Sequence, residues 1–344
     1  MIRSVVHRLR RRIDRVVHPG GRGVVLLYHR VAEDDSDPFG LCIAPERFAD
    51  HVRIVQEVGR PVTLDTFAAG LGDGSLPDRA VAITFDDGYI DNREEAEPIL
   101  AELGVPGLVF VTTGPGGRER EFWWDELERV LLQPGELPAT LEVQVAGRVL
   151  TWELGNDRLY TDAHSSRQRG WRLLHAEQAT RRHVAFRELY SLLQPLDAVE
   201  RTRALDSLLA WAGDRAGTIR AARRAMQPAE VAALAAGGTM AVGAHTTHHP
   251  ALPSLTPAAQ HTEIAASKRE LEAWTGGPVT GFAYPYGLHD AASVAAAREA
   301  GFSYACSGVY APARPGIDPF TIPRIETPAV DGAALRDILR WQFA

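Results

Sequence analysis

Short apolar segments alternate with stretches of helical periodicity along most of this 344-residue chain, and the alternation limits the folds open to it. The apolar segments are rich in β-branched and aromatic residues, which is typical of buried strands. Parallel strands need a crossover connection, and a helix is the usual one. The pattern therefore predicts an α/β protein with parallel strands inside and helices outside. The predicted strands are 24–28, 81–85, 107–111, 240–244, 279–284, 302–306 and 320–325.

The alternation is interrupted between residues 118 and 227. This segment contains an alternating stretch around Ala146 and Gly147, which predicts a hairpin, followed by arginine-rich amphipathic helices. We therefore predict a mostly helical insertion at 118–227 that separates the two parts of the main domain, 24–117 and 228–344. The length of the chain suits one barrel-type domain with an insertion.

Residues 1–23 form a basic leader with seven arginines and one acidic residue, although the whole chain has a net charge of −7. Apolar positions between residues 2 and 17 recur at helical spacing, as in a helix lying on an anionic membrane surface. A helix packed on the base of the main domain, or a frayed terminus, is the alternative. The leader lacks the apolar core of a secretory signal. We expect a cytoplasmic protein, with peripheral contact to the inner face of the cell membrane if residues 2–17 bind lipid.

The charge distribution and the cysteines restrict the function further. Outside the leader the chain is acidic, which argues against a nucleic-acid enzyme, since such an enzyme spreads positive charge over its binding face. Cys42 and Cys306 lie far apart in the sequence and make no disulfide framework.

Two adjacent carboxylates, Asp86 and Asp87, follow the predicted strand 81–85 and precede Gly88. Acidic side chains at the end of a buried strand place charge at the mouth of a sheet or barrel. Because adjacent carboxylates repel each other, a cation, a shared proton or water must compensate them. A solvated Asp-Gly turn is the alternative interpretation.

Three histidines, His245, His248 and His249, follow the predicted strand 240–244. Either His245 with His248 or His245 with His249 has a spacing at which two imidazoles can share a metal ion. Asp86 and Asp87 end another strand and are the expected carboxylate donors. Two imidazoles and one carboxylate leave a coordination position open for water, which is typical of a catalytic metal site. Such donors suit zinc first, and also iron, cobalt or nickel.

These stretches resemble the motifs of the polysaccharide deacetylases that share the NodB homology domain. The matching segments are 84–89 (Thr-Phe-Asp-Asp-Gly-Tyr), 243–250 (Gly-Ala-His-Thr-Thr-His-His-Pro) with Leu252, and 282–287 (Phe-Ala-Tyr-Pro-Tyr-Gly). The motifs occur in the family's order, and the resemblance covers about 24–117 and 228–326. It implies a distorted (β/α) barrel of about seven strands, in agreement with the alternation.

The resemblance also implies the roles of individual residues. Asp86 inherits the role of general base, whereas Asp87, His245 and His249 inherit the roles of metal ligands. The backbone N–H of Tyr286 inherits a part in stabilising the oxyanion. His248 becomes a neighbour that orients the loop or lines the groove. The implied reaction is hydrolysis of an N-acetyl group on an amino sugar, giving acetate and a free amine.

Two features of the family are absent at their usual positions. Many members carry an arginine two residues before the Pro-Tyr pair, where this chain has Ala283; Arg324 is the expected substitute, and a rim salt bridge is its alternative role. Many members also use a late histidine as general acid. His29, which follows the first predicted strand, is the expected substitute, with His289 as a second candidate and a structural hydrogen-bonding role as the alternative for His29. The Tyr-His pair at this place is similar to deacetylases of surface polysaccharides, including biofilm poly-N-acetylglucosamine.

The sequence thus predicts a metal-dependent deacetylase of a cell-surface glycan or its precursor. Trp123 and Trp124 are candidates for stacking on sugar rings, with core packing as the alternative. A hydrolase of cyclic amides and a carbohydrate-binding protein without activity are the competing hypotheses. The sugar, the native metal and the oligomeric state are not predicted.

Overall fold

The computed structural model describes residues 21–114, 119–174, 180–213, 217–327 and 330–343. The helix predicted from residues 2–17 lies outside the described residues. Within these ranges, every helix is too short or too polar to cross a membrane.

Seven parallel strands form one curled sheet, which confirms the predicted α/β architecture and its barrel-like form. The strands are β1 (Gly23–Tyr28), β2 (Ala80–Phe85), β3 (Gly107–Val111), β4 (Met240–Ala244), β5 (Gly281–Ala283), β6 (Tyr304–Cys306) and β7 (Ile325–Glu326). Their order across the sheet is β6-β5-β4-β3-β2-β1-β7. The short strand Arg60–Pro61 pairs with the start of β2. The carboxyl ends of all seven strands therefore meet at one rim.

The two edges of the sheet approach each other just before β7. The Ile322 N–H donates to the Ala305 carbonyl (3.0 Å), and the Ser307 N–H donates to the Ile322 carbonyl (2.8 Å). Farther along, the Arg324 N–H donates to the Val309 carbonyl (3.1 Å). These bonds connect the segment before β7 to the segment after β6 and curl the sheet toward a barrel.

The last predicted strand is displaced in the structure. Residues Pro319–Thr321 form a short 3₁₀ turn, and the strand comprises only Ile325–Glu326. Pro319 and Pro323 have no N–H to donate to a strand ladder, which explains the short pairing. The strand predicted at 279–284 is likewise shorter and comprises Gly281–Ala283.

Helices cover the outside of the sheet, and their bounds agree closely with the sequence periodicity. The helices are α1 (Pro45–Val58), α2 (Leu64–Asp73), α3 (Glu97–Leu103), α4 (Trp123–Leu132), α5 (Asp162–Gln168), α6 (Arg181–Leu193), α7 (Ala198–Ala212), α8 (Pro228–Gly237), α9 (Pro257–Thr275), α10 (Ala291–Glu299) and α11 (Gly332–Phe343). A π-helical turn at Asn92–Ala96 precedes α3. Proline at the first position starts α1, α8 and α9, where its missing N–H leaves no bond unmade.

Strand β2 lies at the centre of the core, and all six of its residues are buried. Val81, Ile83 and Phe85 pack under the helices, whereas Ala80 and Ala82 belong to the cluster on the opposite side of the sheet. Because both faces are covered, the strand is apolar throughout rather than alternating.

The segment between β3 and α8 has an apolar cluster of its own, formed largely by α4, α6 and α7. The predicted hairpin is present as Thr140–Val145 and Arg148–Glu153, and it packs on α7. Ala146 (φ +48°) and Gly147 (φ +76°) both have the left-handed backbone that a two-residue hairpin turn requires. Arg223 donates hydrogen bonds to Asp125 of α4 and to Asp34 of the loop after β1, and so connects this segment to the barrel.

Candidate active site

The turn after β2 directs Asp86 and Asp87 into different surroundings. Asp87 (φ +72°) and Gly88 (φ +85°) both have left-handed backbone, which is costly for a residue with a Cβ. The Asp86 N–H donates to the Tyr28 carbonyl of β1 (3.0 Å), and the Thr112 N–H donates to the Asp87 carbonyl (3.2 Å). Neighbouring strands therefore hold the strained turn, and both carboxylates are buried.

Asp86 accepts two hydrogen bonds from the guanidinium of Arg324. Nη1 lies 2.6 Å from Oδ1, and Nη2 lies 2.7 Å from Oδ2. Burial by itself would raise the pKa of Asp86, but the charge and hydrogen bonds of Arg324, together with His245, outweigh it and lower the pKa to about 2. Asp86 is therefore a carboxylate at neutral pH, with its orientation fixed by a planar, two-point contact.

His245 stands at the end of β4 with one ring nitrogen committed to the backbone. Its Nδ1 lies 2.8 Å from the Ala283 carbonyl, an oxygen that only accepts, so Nδ1 carries the proton. Burial lowers the pKa of His245 to about 4, against the opposing effect of Asp86 and Asp87. The ring is thus neutral near neutral pH, and Nε2 has a free lone pair.

His249 is held by a strained loop that doubles back from β4. Thr246 (φ +64°) and His249 (φ +52°) both have left-handed backbone. The Thr246 hydroxyl accepts a hydrogen bond from the His249 N–H (3.0 Å) and stabilises this conformation. The ring of His249 packs between Trp124 and Tyr286, with ring centroids 4.7 and 4.6 Å away.

Asp87, His245 and His249 bring one oxygen and two nitrogens to within 4.8 Å of one another. Asp87 Oδ1 lies 3.3 Å from His249 Nε2 and 3.7 Å from His245 Nε2. Two donors at zinc bonding distance from a tetrahedral centre are roughly 3.4 Å apart, so the spacing fits a metal of this size. Burial would raise the pKa of Asp87, but His249 lowers it below its usual value and keeps the carboxylate charged.

The protonation states of His245 and Asp87 are also those that a metal requires. His249 Nδ1 is buried and has no hydrogen-bond partner among the described residues, so His249 is not oriented by a carboxylate of its own. His245 has the backbone partner that a metal-binding histidine usually has on its second nitrogen. A neutral His245 and an ionised Asp87 are the forms that bind a divalent cation.

All seven predicted site residues line one cavity of about 320 Å³ at the rim of the sheet. They are Asp86, Asp87, His245, His249, His29, Arg324 and Tyr286. His29 follows β1 and is half-buried, and its backbone carbonyl accepts a hydrogen bond from Asn92 (2.8 Å). Tyr286 has left-handed backbone (φ +57°), and burial raises the pKa of its hydroxyl. The cavity has the size of a small-molecule site.

Four other candidate residues were named from the sequence, and three of them lie outside this cavity. His289 stacks on Tyr284 (4.8 Å between ring centroids) and does not line the cavity. His248 points to Glu263, with Nδ1 2.7 Å from Oε1. Of the two histidine pairs that the sequence allowed, His245 with His249 is therefore the one that meets. Trp124 lines the cavity, whereas Trp123 packs behind it against Tyr190 (5.0 Å).

Some cavity residues could not be found from motifs. Phe39 comes from the loop after β1 and Tyr190 from α6, and their rings are 5.0 Å apart. The sequence around them has no feature that distinguishes them from ordinary core aromatics. Tyr310 and Glu326 also line the cavity. Their positions just beyond β6 and at the end of β7 are the feature of the sequence that could have indicated this.

The sequence of this chain is similar to known proteins. Residues 73–137 and 208–305 match the family model of the polysaccharide deacetylases. YxkH of Bacillus subtilis, whose name assigns it provisionally to the polysaccharide deacetylases, is 31% identical over 90 residues. That alignment covers 25% of this chain and only 30% of YxkH.

Two solved structures are similar over almost the whole chain. The deacetylase PplD of Streptococcus pyogenes, in complex with acetate, has a TM-score of 0.54 at 14% identity and covers 94% of this chain and 99% of its own. IcaB from Ammonifex degensii has a TM-score of 0.54 at 20% identity and covers 94% of this chain and 98% of its own. At these identities the likeness shows the fold alone.

Proposed function

The chain belongs to the polysaccharide deacetylase family, and from this premise we propose that it is a metal-dependent N-deacetylase of amino sugars in a cell-surface polysaccharide or its precursor. The observation that carries the proposal is that one cavity holds two carboxylates with different partners. Asp87 lies next to the imidazoles of His245 and His249, whereas Asp86 is hydrogen-bonded to Arg324.

Asp86 is the general base in this proposal. Arg324 keeps it ionised and directs it, so it can take the proton of a water molecule that attacks the acetyl carbonyl. Asp87, His245 and His249 would hold a divalent cation, which supplies Lewis acidity to the water and the carbonyl when bound. Donors of one oxygen and two nitrogens favour zinc.

His29 and Tyr286 complete the proposed machinery. In this proposal His29, which lines the cavity, gives a proton to the departing sugar amine. Tyr286 lines the cavity with left-handed backbone, and in this proposal its N–H stabilises the negative oxygen of the tetrahedral stage. Trp124 and Tyr190 supply apolar faces for a sugar ring.

A panel of N-acetylated sugars and oligosaccharides tests the proposal, with acetate release measured after the protein is stripped and reloaded with zinc. We expect release by the wild type and a loss of about 10²–10⁴-fold in Asp86→Asn, with the bound zinc retained. If the zinc-loaded protein releases acetate from none of these compounds, the proposal is wrong. Ring opening of a cyclic amide would favour the other hydrolase, and tight glycan binding without release would favour a carbohydrate-binding protein.

A further inference from the structure

Tyr310 and Glu326 lie at the mouth of the cavity, outside the proposed machinery. Both line the cavity, and both are exposed, Tyr310 by 54%. An aromatic ring and a carboxylate in such a place are free to meet a ligand that extends out of the cavity.

Backbone pairing brings these two residues near each other. Cys306 lies opposite Ile322 in parallel register, and the Arg324 N–H donates to the Val309 carbonyl (3.1 Å). This bond shifts the register by two residues, because an N–H donated to the Val309 carbonyl puts Arg324 opposite Tyr310. Tyr310 and Glu326 are then diagonal neighbours on the same face of this pairing. On its other side Glu326 pairs with Leu27 of β1, whose side chain also lines the cavity.

Glu326 is nearer to solvent than the proposed base. It is two residues beyond Arg324, roughly 7 Å along the strand, and it is exposed, whereas Arg324 and Asp86 are buried. A group bound there would belong to the neighbour of the sugar whose acetyl group reaches Asp86.

The charges in the cavity give Glu326 a distinct role. Asp86 is neutralised by Arg324, and Asp87 faces His245 and His249. Glu326 is the third acidic residue among those that line the cavity, and it faces solvent next to an aromatic ring. A carboxylate beside an aromatic face is a suitable site for an ammonium group, through an ion pair and a cation–π contact.

We propose that Glu326 and Tyr310 form a subsite for the protonated amino group of a neighbouring sugar that has already lost its acetyl group. The inference rests on the proposed function, because deacetylation is what creates such amines. The preferred substrate class is then a partly deacetylated, cationic glycan, and an anionic glycan is disfavoured.

Two oligosaccharides of N-acetylglucosamine test this subsite, one fully acetylated and one with a free amine on the residue next to the remaining acetyl group. For Glu326→Gln we expect kcat/KM for acetate release to fall about fivefold with the free-amine compound and to stay unchanged with the acetylated one. Glu326→Lys should reverse the preference, and high salt should weaken the effect in the wild type. Tyr310→Ala should also lower kcat/KM for the free-amine compound, whereas Tyr310→Phe should not.

Glu299→Gln, at an exposed site at the end of α10, is the matched control and should leave the ratio of the two kcat/KM values unchanged. Equal effects of Glu326→Gln on both oligosaccharides would overturn the subsite while leaving the deacetylase intact. If the metal-loaded wild type releases acetate from neither compound, the proposed function fails and the subsite falls with it.

Discussion

Arg324 and Asp86 are 238 residues apart in the chain and share two hydrogen bonds of 2.6 and 2.7 Å at the bottom of the cavity. The arginine enters from the segment just before β7, not from the position two residues before Pro285, where Ala283 stands. The contact explains how the site can hold an ionised, oriented carboxylate without an arginine at that earlier position.

Removing Arg324 should shift the acidic side of the pH–activity profile. Without the guanidinium, burial raises the pKa of Asp86 above its value of about 2, so the base becomes protonated at higher pH than in the wild type. We expect the acidic limb of kcat/KM for Arg324→Gln to move to higher pH, with Arg324→Lys in between. An unchanged limb with a uniformly lower rate would show that Arg324 acts only on folding.

Substitutions can distinguish the three proposed metal ligands from the neighbouring His248. Asp87→Asn, His245→Gln and His249→Gln should each lose bound metal, because each removes one of three donors. His248→Gln is the control, since His248 is directed to Glu263 and should leave metal content unchanged. Metal analysis after dialysis measures the outcome, and metal loss in His248→Gln would contradict the assignment of the pair.

His29 should matter most for a poor leaving group. We expect His29→Gln to slow release from an N-acetyl sugar by about a hundredfold, because an amine must be protonated as it leaves. An aryl acetate has a leaving group that needs no proton, so its hydrolysis should be slowed far less. His289→Gln, outside the cavity, is the control. Equal losses with the amide and the ester would rule out an acid role for His29.

Arg201 of α7, in the segment between β3 and α8, should position the proposed metal-binding loop. It is buried, its Nη2 donates to the His248 carbonyl (2.7 Å), and its guanidinium lies over the ring of Trp123. Arg201→Met should weaken metal binding by about tenfold, because it frees the backbone next to His249. Arg203→Met, an exposed arginine on the same helix, should leave it unchanged. Metal titration by calorimetry decides between them.

His183 should make the protein less stable in mild acid. It is buried on α6 against Trp171, and burial lowers its pKa to about 4, below the unfolded value. Its contribution to stability is thus complete above the unfolded pKa and is lost as the pH falls toward 4. Between about pH 7 and pH 5 the loss amounts to roughly 2 kcal/mol in the free energy of unfolding.

Urea unfolding at the two pH values measures this loss. His183→Gln should show the smaller loss, since glutamine cannot take up the proton. His261→Gln, on the exposed side of α9, is the matched control. A loss in His183→Gln as large as in the wild type would contradict the assignment.

The sequence by itself determined the parallel architecture and the chemistry of the strand ends. Strand β2 is buried on both faces and β4 is also apolar throughout, so both could be recognised from composition. The polar residues that follow them had to lie at the same rim. The carboxylate pair and the histidine triplet were visible for that reason. The strand predicted at 320–325 shows the limit of prediction from composition. Its apolar pattern indicated a strand, but Pro319 and Pro323 have no N–H to donate, and the strand comprises only Ile325–Glu326.

Only the tertiary structure decided which of the histidines meet and what surrounds them. His249 rather than His248 faces Asp87 because left-handed backbone at Thr246 and His249 turns the loop, and a hydroxyl contact sustains it. Tyr190 and Arg201 reach the site from helices whose local sequence resembles ordinary packing. Tyr310 becomes the neighbour of Glu326 through pairing between the two edges of the sheet. Such contacts join residues far apart in the chain, so they depend on how the sheet curls and not on any local pattern.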